Sequence, residues 1–179
     1  MSNTEREEVL SKARAAKEVA PVVAQLSTPR KNEILQRAAD NLIAHTEAIL
    51  AANKQDIDAG RERGMSESLI DRLSLDAARV EGIAGGLRQV AGLQDPVGEI
   101  LQGRTMDNGI QMKQVRVPLG VMGMVYEARP NVTVDAFGLA LKSGNVALLR
   151  GSKSAVHSNS ALVDVLRQAC AEQDVPEDA

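Results

Sequence analysis

The chain has 179 residues, and 44% of them are hydrophobic, which is enough for a core of ordinary size. A net charge of −3 and only two aromatic residues, Tyr126 and Phe137, argue against a nucleic-acid partner, because such proteins present basic surfaces and stacking rings. There is no apolar run of membrane-spanning length, no signal peptide and one cysteine, so a cytoplasmic protein without a membrane partner or an internal disulfide is expected.

Residues 1–92 are predicted to form helices. Apolar residues recur three or four positions apart from Val9 to Val23, a spacing typical of one buried helix face. Thr28 is predicted to cap the second helix, and Asp76 is predicted to cap the fifth.

A β-hairpin is predicted over residues 97–118. It turns at Asn108–Gly109, because this pair tolerates the positive φ angles of tight hairpin turns. The alternation of apolar residues slips out of phase after Met112, which predicts a bulge near Lys113 or Gln114.

The last part of the chain alternates between strand and helix. "GVMGMVY" is a continuous apolar run, typical of a strand that is buried on both faces of a parallel sheet. A helix over Val132–Lys142 follows it, then a second strand, "NVALLR", and a second helix. A strand–helix–strand unit of this length makes a right-handed crossover between parallel strands.

Polar and basic residues follow both predicted strands, at Tyr126–Asn131 and Arg150–Lys153. Parallel strands end at the same edge of a sheet, where the following helices also begin, so these two segments are expected side by side. The cations Arg129, Arg150 and Lys153 then predict a phosphate-bearing ligand. Because "RGSKS" lacks the spacing of a phosphate-binding P-loop, ordinary loop cations remain the alternative.

Positive charge is concentrated in the same part of the sequence. Between residues 113 and 153, six basic residues stand against two acidic ones, Glu127 and Asp135; the basic residues are Lys113, Arg116, Arg129, Lys142, Arg150 and Lys153. This asymmetry predicts one site for a small anionic ligand.

Two segments, "YEARPNVTVDA" and "KSGNVALLRG", closely resemble the γ-glutamyl phosphate reductases (glutamate-5-semialdehyde dehydrogenases) of the aldehyde dehydrogenase superfamily. The resemblance extends to "ILAANKQD", "LIDRLSLD" and "DPVGEI". It implies an α/β fold with an incomplete, Rossmann-like parallel sheet. Residues 1–96 would form the helical part of the cofactor-binding domain, residues 97–118 an oligomerisation hairpin and residues 119–179 a βαβα part of the NADP-binding domain.

The resemblance also implies an activity. Members of this family use NADPH to reduce L-glutamate 5-phosphate to L-glutamate 5-semialdehyde, with release of phosphate, in L-proline biosynthesis. A cysteine thiolate attacks the acyl phosphate, and hydride reduces the resulting thioester. The resemblance further implies an oxidoreductase that forms homo-oligomers and has glutamate 5-kinase as a partner.

Site residues carry over from the family position by position. Asn131 matches the asparagine whose amide contributes to the oxyanion hole. Arg150, Gly151, Ser152 and Lys153 match cofactor-binding positions, with Lys153 and Ser152 suited to the 2′-phosphate of NADP. Tyr126 and Arg129 are expected on the substrate side. The sequence contains no cluster of metal-ligating residues.

The nucleophilic cysteine of the family lies in a second domain, beyond the position that matches the last residue of this chain. Cys170 lies late in a predicted helix with no basic neighbour, so it is expected to be buried and inert. The 179 residues alone are therefore expected to be inactive. Two alternatives remain: a non-catalytic dinucleotide-binding or assembly module, and a general phosphate-binding α/β protein.

Overall fold

A computed structural model of the chain describes residues 3–178. Helices come first, then a β-hairpin, then two parallel strands that alternate with helices, which confirms the predicted α/β class. In chain order the elements are α1 (Asn3–Ala24), α2 (Thr28–Ala44), α3 (Thr46–Glu62), α4 (Glu67–Leu73), α5 (Ala77–Gly92), β1 (Ile100–Thr105), β2 (Gln111–Val115), β3 (Val121–Val125), α6 (Pro130–Lys142), β4 (Val146–Arg150), a 3₁₀ turn (Lys153–Ala155) and α7 (Val156–Ala171).

The hydrophobic core lies between the helices. Helix α2 packs against α5 and α7, and its residues Ile34, Leu35 and Leu42 are fully buried. The apolar face predicted for α1 is buried only in its second half, because Val9 is 51% exposed while Val23 is fully buried. Helix α1 packs against β4 and, less extensively, against β3.

Two helix starts were predicted, and one of them is corrected. The Asp76 carboxylate accepts a hydrogen bond from the Arg79 N–H at 2.7 Å, so Asp76 caps α5 as predicted. Helix α2 is capped by Ser27, whose hydroxyl accepts from the Arg30 N–H at 3.4 Å. The predicted cap, Thr28, instead donates its hydroxyl hydrogen bond to the Asp95 carboxylate at 2.7 Å.

The hairpin is confirmed, with Gly109 at φ +83° in its turn. The predicted irregularity is present next to Gln114, but its extra residue lies on the first strand, opposite Gln114 and Val115. Ile100 pairs with Val115 and Gln102 with Gln114, so Leu101 is the extra residue. Every residue of β1 and β2 is exposed.

Strands β3 and β4 pair in parallel, with Val121 opposite Val146 and Val125 opposite Arg150. The prediction that the first of them is buried on both faces is wrong, because Val125 is 84% exposed and Met124 41%. Among the described residues the parallel sheet has only these two strands, so each has a single hydrogen-bonded neighbour. No helix within residues 3–178 combines the length and the hydropathy of a membrane span.

Candidate functional site

The two predicted polar segments meet at the carboxyl ends of the parallel strands. The Tyr126 N–H donates to the Arg150 carbonyl at 3.1 Å, continuing the ladder between β3 and β4. A groove of about 510 Å³ opens here, which we call the β4 cavity; its lining includes Tyr126, Arg150, Gly151, Ser152, Lys153 and Asn159. All four predicted cofactor-binding residues therefore line one cavity.

A chain of hydrogen bonds forms one wall of the β4 cavity. The Thr133 hydroxyl donates to the Asn159 Oδ1 at 3.0 Å, so its oxygen accepts from the Tyr126 hydroxyl at 2.7 Å. A Cβ on Gly151 would lie 2.2 Å from the Asn159 Nδ2 and 3.2 Å from the Tyr126 ring. The loop after β4 thus lies so close to these hydrogen-bonded side chains that any side chain at position 151 would force Asn159 to shift.

The cationic loop is held by short local contacts. Ser152 caps the 3₁₀ turn by accepting from the Ser154 N–H at 3.2 Å, and the Arg150 guanidinium donates to the Gly151 carbonyl at 2.7 Å. Lys153 is exposed and has no partner within the described residues. The loop therefore offers one unpaired ammonium group to the β4 cavity.

The start of α7 is closed to an anionic ligand, contrary to the expectation for helices at this edge. The Asp56 carboxylate, which is buried, accepts from the His157 N–H at 3.2 Å and from the Ser158 N–H at 2.7 Å. The Ser158 hydroxyl also donates to it at 2.6 Å. A fixed carboxylate from α3 occupies the position that a phosphate would need.

Arg129 and Asn131 lie elsewhere. They line a second, open cavity between the start of α6 and helices α4 and α5, which we call the α6 cavity. The three cations predicted to converge line two different cavities, Arg129 the α6 cavity and Arg150 and Lys153 the β4 cavity. Tyr126, expected on the substrate side together with Arg129, lines the β4 cavity instead.

Charged groups of the α6 cavity differ in how they are paired. Arg79 is held by Asp71, with one guanidinium nitrogen 2.7 Å from the Asp71 carboxylate and another donating to the Asp71 carbonyl at 2.6 Å. Within the described residues, the Asp135 carboxylate accepts a hydrogen bond only from the Asn131 amide, at 3.3 Å. Partial burial raises the pKa of the Asp135 carboxyl, and the Asn131 hydrogen bond opposes that rise.

Cys170 is 1% exposed on α7, which confirms that it is a buried helical cysteine. Burial, and secondarily the negative charge of Glu177, raise the pKa of its thiol to about 12. Such a thiol holds almost no thiolate at neutral pH. No group of three His, Cys, Asp or Glu side chains suited to a metal ion lies within residues 3–178.

The concentration of charge seen in the sequence does not persist in space. Lys113 and Arg116 belong to the hairpin region, and Lys142 is buried, with its ammonium group donating to Asn32 and to the Ala91 carbonyl. The six basic residues thus lie in four places: the hairpin region, the buried end of α6, the α6 cavity and the β4 cavity.

Sequence reasoning missed several site residues. Asp135 lies one helical turn after Asn131, a spacing that places both on one helix face, so the sequence did carry a signal for it. Thr133 and Asn159 offered no comparable signal, because their hydrogen bond joins two helices 26 positions apart. Asp56 is likewise visible only in three dimensions, more than 100 positions from the N–H groups it caps.

Known proteins resemble this chain over nearly all of its length. The sequence model of the aldehyde dehydrogenase family matches residues 1–179. The γ-glutamyl phosphate reductase of Thermotoga maritima matches with 42% identity and a TM-score of 0.92, over 96% of this chain and 41% of its own. That of Saccharomyces cerevisiae matches with 31% identity and a TM-score of 0.89, over 99% of this chain and 45% of its own.

A more distant structure shows the same fold. The glyceraldehyde-3-phosphate dehydrogenase GapN of Methanocaldococcus jannaschii, solved in complex with NADP, shares 20% identity and a TM-score of 0.67, over 97% of this chain and 35% of its own. The chain therefore spans less than half the length of each of these three proteins.

Proposed function

Because this chain belongs to the aldehyde dehydrogenase family, we propose that it forms part of an NADPH-dependent glutamate-5-semialdehyde dehydrogenase. That enzyme reduces L-glutamate 5-phosphate to L-glutamate 5-semialdehyde and releases phosphate, a step of L-proline biosynthesis. The reductases of Thermotoga maritima and Saccharomyces cerevisiae, at 42% and 31% identity, support this substrate.

The observation that carries the proposal is the β4 cavity. Its loop presents the exposed cations Arg150 and Lys153 beside the Ser152 hydroxyl, groups suited to a ribose and its 2′-phosphate. Val156 adds an apolar surface that is 50% exposed. NADPH, when bound, supplies the hydride. The carboxylate at the start of α7 disfavours a phosphate there, so binding of the 2′-phosphate depends on the loop.

In the α6 cavity, Asn131 is proposed as the oxyanion-stabilising residue. Its side-chain amide has two N–H groups, and one of them donates to Asp135, which holds the amide plane in place. The other has no partner within the described residues and is available to a developing oxyanion. Arg129 is proposed to bind substrate, and Tyr126 is reassigned to the wall of the cofactor cavity.

A titration of the chain with NADPH and NADH tests the cofactor proposal. Lys153→Glu reverses the charge beside the 2′-phosphate, so it is expected to weaken NADPH binding roughly tenfold, about 1.4 kcal/mol, and to leave NADH binding nearly unchanged. Lys113→Glu is the matched control, since it makes the same charge change on the exposed hairpin. Equal losses of NADPH affinity in both variants would contradict the proposal.

We propose that the 179 residues do not catalyse the reaction by themselves, because their one thiol is buried and protonated. Incubation with NADP, phosphate and L-glutamate 5-semialdehyde is expected to give no NADPH. Alkylation by iodoacetamide at pH 8 should be slow in the folded chain and fast in urea. Turnover that disappears in Cys170→Ala would instead identify Cys170 as the nucleophile.

A second candidate function is assembly, which the exposed hairpin favours. Ile100, Ile110 and Val117 are 54%, 57% and 74% exposed, and neither β1 nor β2 packs substantially on another described element. Such a surface is suited to burial against another copy. We propose a homo-oligomer formed through this arm.

Light scattering measures the oligomeric state. Ile110→Asp is expected to lower the oligomer mass towards that of the monomer, whereas Val22→Asp, at a 46% exposed position of α1, should not. A chain that remains monomeric at all concentrations would contradict the assembly proposal. Glutamate 5-kinase, the expected heterologous partner, can be added in the same experiment, where a complex would appear as a heavier species.

A further inference from the structure

We infer that the α6 cavity binds the α-amino-acid end of the substrate, with the Asp135 carboxylate accepting the α-ammonium group and Arg129 binding the α-carboxylate. The inference rests on the proposed function, since that function places an amino-acid derivative next to Asn131. It adds what the cavity recognises: a zwitterion rather than a simple acyl phosphate.

The first argument is which charges remain unpaired. Arg79 and Asp71 neutralise each other within the cavity wall. The Arg129 guanidinium has no hydrogen-bond or ion-pair partner among the described residues, and the Asp135 carboxylate has no cationic partner there. One guanidinium and one carboxylate therefore line the same open space unpaired, which is the charge pattern complementary to an α-amino acid.

Arg72 is a further positive group at this cavity, but it is partly engaged. One of its guanidinium nitrogens lies 3.9 Å from the Glu127 carboxylate, and both side chains are largely exposed, at 48% and 75%. A contact that long and that open is weak. Arg129 is accordingly the stronger candidate for the α-carboxylate.

The second argument is the carboxylate itself. The Asp135 Oδ2 accepts from Asn131, whereas Oδ1 has no hydrogen-bond partner within the described residues. An ammonium group bound at Oδ1 would restore the solvation that partial burial removes and would bring the raised pKa of this carboxyl back down. Binding of a cationic group at Oδ1 is therefore favourable.

The third argument is length. Residues four apart on a helix have Cβ atoms about 5–6 Å apart, so Asn131 and Asp135 define two points separated by roughly that distance. In an extended glutamyl chain the ammonium nitrogen lies about 5 Å from the δ-carbonyl carbon, by ordinary bond lengths. One helix face can then hold both ends of a glutamyl group.

The fourth argument is the facing helix. Gly82 of α5 lines the α6 cavity, and a Cβ on Gly86, one turn later, would lie 4.0 Å from the Asp135 Oδ1. Each glycine inside a helix is about 1 kcal/mol less favourable than alanine. The absence of side chains at these positions leaves room in front of the carboxylate.

The test measures the binding of three small probes to the 179-residue chain. Binding is monitored by NMR of the ¹⁵N-labelled protein, with no cofactor present. L-glutamate carries both α-groups, glutarate lacks the ammonium, and 4-aminobutyrate lacks the α-carboxylate. We expect L-glutamate to perturb the Asn131 and Asp135 signals and to bind about fivefold tighter than glutarate, as one partly screened ion pair of about 1 kcal/mol would give.

Two substitutions assign the preference. Asp135→Asn should abolish the preference for L-glutamate over glutarate while glutarate still binds. Arg129→Gln should weaken the binding of L-glutamate and glutarate alike. Equal affinity of the unmodified chain for L-glutamate and glutarate, or no binding of L-glutamate, would overturn the inference. Because NADPH is absent, either result is independent of the cofactor proposal.

A matched pair on α5 tests the location. Gly82→Leu adds a side chain to the lining of the cavity and should block L-glutamate, whereas Gly85→Leu, on the same helix but outside that lining, should leave binding intact. At both positions no atom lies within 4 Å of the added Cβ, so neither change forces a clash there. Both variants add the same side chain to the same helix. A loss of binding in both, or in neither, would place the amino acid outside this cavity.

Discussion

Two clusters in this molecule combine basic side chains with an aspartate, and they differ in pairing. In the first, the Asp95 carboxylate lies 2.7 Å from the buried Lys31 ammonium, which also donates to the Lys142 carbonyl at 3.3 Å. In the second, Arg129 and Asp135 line the open α6 cavity without an ionic partner among residues 3–178.

The difference separates a structural role from a binding role. A paired, buried charge is satisfied by the fold, so its removal is expected to affect stability. An unpaired charge beside open space is satisfied only by water, so its removal is expected to affect binding. Residue type does not distinguish the two cases, since both use a basic residue and an aspartate. The two cases are distinguished by whether the folded structure pairs the charge with an opposite one.

The largest expected effect is the loss of the buried pair. Asp95→Asn leaves the Lys31 ammonium buried without its carboxylate, which is expected to lower the free energy of unfolding by about 3–5 kcal/mol. Asp40→Asn is the control, because Asp40 pairs with Arg88 on the surface and should contribute less than about 1 kcal/mol. Urea denaturation at pH 7 measures both.

The same pair predicts a pH dependence. Burial alone would raise the pKa of the Asp95 carboxyl, but hydrogen bonds from Lys31, Thr28 and the Val97 N–H outweigh it, so the pKa lies below its ordinary value. Its contribution is full above pH 4, near the ordinary pKa of about 3.9, and is lost as the pH falls through the lower folded value. If Asp95→Asn lost as much stability at low pH as the unmodified chain does, protonation of Asp95 would not be the cause of that loss.

The next largest effect concerns the closed start of α7. Asp56→Asn replaces one carboxylate oxygen by an NH₂ group that cannot accept from the Ser158 N–H or hydroxyl, at an expected cost of about 2–3 kcal/mol. Asp58→Asn, on the exposed side of the same helix, is the control. Thermal unfolding of the two variants gives the comparison, and equal melting temperatures would contradict it.

A smaller effect is expected at the wall of the β4 cavity. Gly151→Ala places a methyl group against Asn159 and Tyr126, so these side chains must shift, at a cost of about 1–2 kcal/mol. Gly123→Ala on β3 meets no atom within 4 Å and should change stability little. Denaturant midpoints measure both, while NADPH titration shows whether the displaced wall also weakens binding. An unshifted midpoint in Gly151→Ala would rule out the close contact.

How far the sequence predicts this molecule depends on the range of the interactions. The Asp76 cap and the Asn108–Gly109 turn are local, and both are predicted correctly. The burial of β3 is not, because an apolar run shows that a strand can be buried but not how many neighbours cover it. The sequence also does not show that Arg129 and Arg150 line different cavities, because this depends on how distant parts of the chain pack.

That separation depends on a feature a linear pattern does not contain. Strand ends meet as predicted, yet Tyr126 lines the β4 cavity and Arg129 the α6 cavity, so residues that share a segment line different cavities. The buried Lys31 and Lys142 are missed because their partners come from other helices and from the segment that follows α5. Long-range pairing decides each of these cases.

The smallest expected effect has the opposite sign from the first. Partial burial raises the pKa of the Asp135 carboxyl, so its contribution to stability is full below the ordinary pKa of about 3.9 and is lost as the pH rises through the folded value. In Asp135→Asn the side chain is neutral at every pH, so the variant does not lose this stability as the pH rises. The variant should therefore match the unmodified chain at pH 3 and exceed it at pH 7, by less than about 1 kcal/mol because solvent screens the group. Urea denaturation at the two pH values measures the difference. Destabilisation at pH 7 would mean that Asp135, like Asp95, is paired by the fold.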